Sequence, residues 1–211
     1  MSDPSSVSGD FDFNNILTSH LSRVEILKGN QSSVYGSGAI GGTINITTKK
    51  GKEGFQRGIN YATGSNSTHD LSMNISGANE KNNFYLGIQR FDTDGISQMR
   101  HNEEKDRYRN NTINAHYGYT FSDKFEISNN ARVAETYLQY DAVRCCLDYN
   151  HSEESDGVEG SYNINFIFKP IANFTNKFTF ANTYIKRIYS DSPGSKNTVK
   201  DNYYGERYSL L

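Results

Sequence analysis

The sequence has no tryptophan, only three prolines, and two cysteines that stand side by side as Cys145-Cys146. Two cysteines cannot build a disulfide framework or a four-ligand zinc site. Excess charge of one sign is also missing, with 22 Lys+Arg against 24 Asp+Glu. That balance argues against a nucleic-acid binder held by a basic face. No apolar run approaches the ~18 residues of a membrane-spanning helix. This last absence leaves one membrane architecture open. A transmembrane β-barrel needs no long apolar run, because its strands alternate lipid-facing and lumen-facing residues. Hydrophobic residues make up only 35% of the chain, while 15 Tyr, 12 Phe and 18 Gly are present. A polar, Tyr/Phe-rich, Gly-rich and Pro-poor composition suits such a barrel.

Two regions differ in pattern. In residues 1–50 the signals are mixed. Ile16, Leu17 and Leu21 stand at helical spacing and predict a short amphipathic helix over Asn14–Arg23. Val24–Lys28 reads as a strand, Gly29–Gly42 as a Gly/Ser-dense loop, and Thr43–Thr48 as a β-branched strand. From about Lys52 the period becomes two and stays there. Leu71, Met73 and Ile75 alternate with Asp70, Ser72 and Asn74. Val158, Tyr162, Ile164, Phe166 and Phe168 alternate with Glu159, Ser161, Asn163 and Asn165. Strands recur to an eighth that begins near Glu206. Short connections (Asn79–Asn83, Phe121–Lys124, Lys169–Asn173) alternate with long polar ones (Asp92–Asn110, Leu138–Gly157, Ser190–Tyr203); Gly64–Ser67 is a short exception. Short turns at one end and long loops at the other are the outer-membrane pattern. Aromatics near strand ends fit interfacial girdles or ordinary β-propensity. Periodicity alone does not separate a barrel, apolar face to lipid, from a sandwich, apolar face to core. The chain opens without a basic and apolar leader and stops at Tyr208-Ser209-Leu210-Leu211 in strand-like sequence, so it reads as an internal piece of a longer protein or a truncated gene product; the alternative, a complete cytoplasmic domain, must explain the unfinished strand.

Gly36, Gly38 and Gly41 match G-x-G-x-x-G, but a β-branched strand follows where a dinucleotide site needs a helix. The five histidines show no metal-site spacing, and no nucleophile elbow is present. The sequence thus gives no reason to expect an enzyme.

The stretch Arg23–Lys49, RVEILKGNQSSVYGSGAIGGTINITTK, closely resembles the C-terminal part of the plug domain of TonB-dependent outer-membrane receptors. The positions that carry the likeness are Arg23, Glu25, Gly29, Tyr35, Gly36, Gly41, Gly42 and Asn45. It departs from the family pattern at Asn30, where Pro is usual, and at Val34, where Leu is usual. Asn takes the same kind of turn. Asp92-Thr93-Asp94-Gly95-Ile96 with its acidic continuation, and Tyr140-Asp141-Ala142, resemble outer-loop segments of cobalamin-receptor-like members.

The resemblance implies a mainly β fold: a partial plug domain (small α+β, residues 1–50) followed by antiparallel transmembrane β-barrel strands (residues 51–211). These would be roughly the first seven to eight strands of a plugged barrel of about 22. It implies a receptor for active uptake of cobalamin or a metal chelate such as a siderophore or haem. Its partners would be the TonB complex of the inner membrane, the nutrient ligand and outer-membrane lipid, with no nucleic acid. In cobalamin receptors the corresponding loops bind calcium, which by position implicates Asp92, Glu104, Asp106 and Asp141; solvated loop charge is the alternative. Arg23, Glu25 and Lys28 would form lumen ion pairs, or remain simple solvated charges. Lys49-Lys50-Gly51-Lys52 reads as a basic hinge between plug and barrel. Two rival readings stay open: an open porin or adhesive barrel, and a soluble β-rich binding domain.

Overall fold

The computed structural model describes residues 11–35, 39–97, 105–141, 152–171, 174–190 and 200–210; for Val34, Tyr35, Ser152 and 200–210 it describes the backbone. Gly36, Gly38, Glu103, Glu104, Cys145 and Cys146 lie outside the described residues.

Two sheets are formed. The smaller pairs β1 (Leu21–Lys28) with β2 (Gly42–Thr48) antiparallel. A short helix α1 (Ser32–Tyr35) lies between them, inside the stretch read as pure loop. The expected helix over Asn14–Arg23 is not formed. In its place stand a single 3-10 turn (Phe13–Asn15), an irregular strap, and β1, which starts at Leu21. The helical spacing of Ile16, Leu17 and Leu21 was outweighed by tertiary bonds to the strap backbone, described below.

The larger sheet holds eight strands in strict sequence order. They are β3 (Gly54–Gly64), β4 (Thr68–Ala78), β5 (Asn82–Thr93), β6 (Tyr108–Ser122), β7 (Phe125–Asp141), β8 (Ser152–Ile171), β9 (Phe174–Ser190) and β10 (Lys200–Leu210). Every neighbouring pair is antiparallel. The strands outrun their sequence limits: β6 starts at Tyr108, β7 runs to Asp141, β8 starts at Ser152, and β10 begins at Lys200 rather than near Glu206. Strand length climbs from 11 residues in β3 to 20 in β8. A tilted strand crosses the hydrocarbon layer in about 9–11 residues. Because one end of the sheet is closed by tight turns such as Asn79–Lys81, the surplus of β7 and β8 projects from the loop end. The β3–β4 turn is tight because Asn66 and Ser67 both adopt the left-handed conformation, with φ 54° and 53°.

The sheet is inverted relative to a soluble sandwich. Its apolar face is open: Ile59 is 66% exposed, Ile113 50% and Phe178 55%. Its polar face is covered. One cross-strand rung runs Ser72–Gln89–Thr112–Ala134–Glu159–Ile185 through β4 to β9, and every member is buried. The parallel rung Ser76–Tyr85–His116 is buried too. Exposed Ile and Phe are costly in water, at about 25 cal/mol per Å², and stable in hydrocarbon. A wall apolar outside and polar inside decides for the barrel over the sandwich.

Candidate functional site

The inner face of the wall holds the strap that precedes β1. Asn15 is bound through its side chain and its carbonyl. Its Nδ2 donates to Glu159 Oε1 at 2.9 Å, and its Oδ1 accepts from the Tyr108 hydroxyl at 3.2 Å. Its carbonyl oxygen accepts from Arg132 Nη2 at 2.7 Å and Asn110 Nδ2 at 3.0 Å. Strands β6, β7 and β8 therefore converge on one residue. Arg132 and Arg187 neutralise Glu159 at 3.2 and 3.6 Å. That compensation is required, because a carboxylate this deeply buried is unstable unless paired.

Five residues on, His20 is fully buried against β5. Its Nδ1 shares a 2.7 Å hydrogen bond with the Tyr85 hydroxyl, and the rings meet edge to face. The ring fits because Gly87 lies beneath it; a Cβ there would run into the His20 ring. Burial lowers the His20 pKa below 6.5, with Lys49 adding to the effect and the Ile88 backbone and Asp70 opposing it. The neutral imidazole is thus the form that docks.

The hinge closes the same unit. The Lys49 amide donates to the His20 carbonyl at 2.9 Å, and its Nζ to the Ser19 carbonyl at 2.7 Å. Gly51 and Asn83 exchange two bonds: Gly51 N–H to Asn83 Oδ1 at 3.0 Å, and Asn83 Nδ2 to the Gly51 carbonyl at 3.2 Å. This segment, read as basic, works here through one lysine and its backbone.

The plug-motif residues shape the β1–β2 unit. Arg23 pairs with Glu25, and Asn45 Nδ2 donates to Glu25 Oε2 at 3.0 Å. Gly29 has φ +89°. Gly42 has φ +149°, and a Cβ on it would sit 2.7 Å from the Leu27 carbonyl, so the hairpin register needs glycine. Gly41 borders open space. Asn30 Oδ1 accepts from the Ser32 amide at 2.9 Å, an Asx turn that leads into α1 where the family places proline. A strand, β2, follows the glycine-rich stretch, so the dinucleotide geometry is not formed.

Of the four residues implicated in calcium binding, the structure describes Asp92, Asp106 and Asp141. Asp92 is committed to arginine: its oxygens accept from Arg107 at 3.0 and 3.2 Å, from Arg109 at 3.0 Å and from Arg90 at 3.3 Å. Ser97 Oγ donates to Asp141 Oδ2 at 3.1 Å. Asp106 lies on the β5–β6 connection beside Gly95, and Glu104 is outside the described residues. Asp94 pairs with Lys105 at 3.0 Å, and that hydrogen bond depresses its pKa. No group of three or more His, Cys, Asp or Glu among the described residues is placed to hold a metal. At Asp92 the guanidinium groups of Arg90, Arg107 and Arg109 supply the positive charge.

Asn15, His20, Tyr85, Gly87, Arg132 and Glu159 were not singled out as a site in the sequence. The available signal was Glu159 and Arg132 on a face rich in Asn, Ser and Thr.

The family model described as TonB-dependent Receptor Plug Domain matches residues 2–43. The vitamin B12 transporter BtuB of Vibrio cholerae serotype O1 is 31% identical over 155 residues, covering 70% of this chain and 25% of the relative. The protein of the same name from Vibrio vulnificus is 25% identical over 155 residues, and that from Photobacterium profundum 24% over 127. The chain thus spans about a quarter of the length of the curated relatives it matches. The crystal structure of the siderophore receptor PiuA from Acinetobacter baumannii shares the fold, with a TM-score of 0.62 over 90% of this chain and 32% of that one, at 13% identity. Motif, inverted wall and relatives agree on a TonB-dependent receptor of the bacterial outer membrane, similar to the cobalamin receptors.

Proposed function

We propose that the chain serves energised uptake of a scarce, bulky nutrient across the outer membrane, with a corrinoid as the first candidate. In this reading residues 1–50 are the C-terminal part of the plug and residues 51–211 the first barrel strands. The observation that carries it is a plug segment held by polar side chains on the covered inner face of a sheet whose outer face is apolar. A wall that serves as an open pore has no need of that cover. The names of the relatives, vitamin B12 transporters, favour a corrinoid over other chelates. Likeness to a siderophore receptor at 13% identity speaks only to fold.

The contacts support a mechanism. A plug joined to its wall by hydrogen bonds closes the lumen against passive flow, and force applied through the TonB complex of the inner membrane breaks those bonds one at a time. Each is worth about 0.5–1.5 kcal/mol net, or ~1.5–3 where a charge takes part. The wall so bared is polar and takes up water.

The test is uptake of labelled cyanocobalamin by cells that lack their own corrinoid transporter and produce this protein. Accumulation that stops when TonB is deleted is expected. Accumulation of a ferric siderophore but not the corrinoid would move the substrate assignment; uptake indifferent to TonB would refute energised transport.

A further inference from the structure

We infer that Asn15 is the fastener that holds the plug to the wall, with Glu159 as its receptor, and that undoing this lock opens the lumen along β6–β9. The inference rests on the plug reading above and adds the residue pair through which closure is kept.

Three observations carry it. Asn15 is held at both side-chain polar atoms and at its carbonyl, and by wall residues only: Glu159, Tyr108, Arg132 and Asn110. Arg132 also serves two masters. One guanidinium nitrogen binds the Asn15 carbonyl while the other binds Glu159, so strap and wall share a charge. Glu159 sits in the buried rung between Ala134 and Ile185, each 0% exposed, where water does not replace a lost partner. Asn15 is therefore bound where it is hardest to substitute and where each bond is strengthened by the charge beside it.

The chemistry makes residue 15 selective. The Asn15 amide donates to a carboxylate and its oxygen accepts from a phenol. Alanine makes neither bond. Aspartate has no proton to give Glu159 and sets a second negative charge against it, so Asn15→Asp should eject the strap more strongly than Asn15→Ala. Pairing Asn15→Asp with Glu159→Gln reverses donor and acceptor: the new glutamine amide donates to the new carboxylate, and Arg132 stays paired. Rescue by that swap separates a direct lock from general damage.

The experiment compares the unsubstituted protein with N15A, N15D, E159Q and N15D/E159Q, each in the full-length receptor, in outer membranes. Openings are read as ion conductance in planar bilayers, with entry of a large antibiotic into whole cells as the cellular counterpart. Hydrogen exchange over residues 11–20 reports release of the strap. A heat-modifiable band reports an intact barrel. N15D should open about 10-fold more often than the unsubstituted protein, the loss of one charge-assisted bond, and N15D/E159Q should return toward it. N15D that stays closed with unchanged exchange would overturn the lock while leaving the plug reading standing. An N15D/E159Q protein as leaky as N15D would do the same. Porin-like conductance in the unsubstituted protein would overturn the plug reading and the lock together.

Discussion

The packing of His20 on β5 yields a quantitative test. Gly87→Ala puts a methyl group where the imidazole lies, because a Cβ on residue 87 meets the His20 ring and comes 3.0 Å from Tyr85 Cε1. Overpacking of a filled site typically costs about 1–3 kcal/mol. Against it stands a gain of about 0.4–1 kcal/mol, because alanine restricts the unfolded chain more than glycine does. His20→Ala removes the obstacle and also the 2.7 Å bond to Tyr85, at about 1–3 kcal/mol for a buried hydroxyl left without its partner. In the double variant the methyl enters the space that the ring vacated, so the second substitution costs nothing more. The cycle should therefore close with a coupling of about 2 kcal/mol. The assay is native-state hydrogen exchange of the Lys49 amide, which donates to the His20 carbonyl, in detergent-solubilised protein. Gly87→Ala should speed that exchange strongly on the native background and little on the His20→Ala background, with the barrel still heat-modifiable. Equal acceleration on both backgrounds would refute the claim that Gly87 exists to seat this ring.

Three further outcomes are expected. His20 has its pKa held below the ordinary 6.5 by burial, among Tyr85, Lys49 and Asp70; strap docking should be strongest above that value and weaken as pH falls through the lowered one, because protonation charges a buried ring. His20→Gln should flatten this dependence, and exchange rates that rise with pH beyond the intrinsic trend would contradict it. Asp92→Asn should loosen the β5–β6 ends by stripping Arg107, Arg109 and Arg90 of their shared partner, seen as faster exchange near Thr93; protection restored by millimolar Ca²⁺ would show that a metal, not arginine, governs that loop. Ile113→Arg, on the open apolar face, should destabilise the inserted barrel by about 2–4 kcal/mol near the bilayer midplane, measured by urea unfolding in lipid vesicles; a shift under half a kcal/mol would place that face away from hydrocarbon.

Much of this fold was legible because lipid and lumen demand opposite chemistry at successive residues. Val158 faces out and Glu159 in, Ile113 out and Thr112 in, and the alternation needs no partner to be read. The plug stretch was legible for another reason. Gly42 and the Arg23–Glu25–Asn45 set answer to local geometry, and local geometry leaves its mark on residue type. The strap escaped. Its backbone is shaped by Arg132 and Asn110, over ninety positions away, and no window of neighbouring residues contains that information. The partners of Asp92 escaped as well: the arginines at 107 and 109 come beside it only through the β5–β6 register that sets Asp92 against Arg109.

Register also explains why the lock stands at this place. The β7–β8 pairing sets Ala134 against Glu159, and β8–β9 sets Glu159 against Ile185. A slip by a single residue would carry Glu159 to the lipid side and Val158 inward. Hydrocarbon would then reject the carboxylate at a cost of kcal/mol, so the outer solvent enforces the inner arrangement. The apolar exterior thereby specifies where the buried carboxylate of Glu159 meets the strap. Substitutions that leave the alternation intact should move the lock in strength but not in position, whereas an inserted residue in β8 should abolish both insertion and closure.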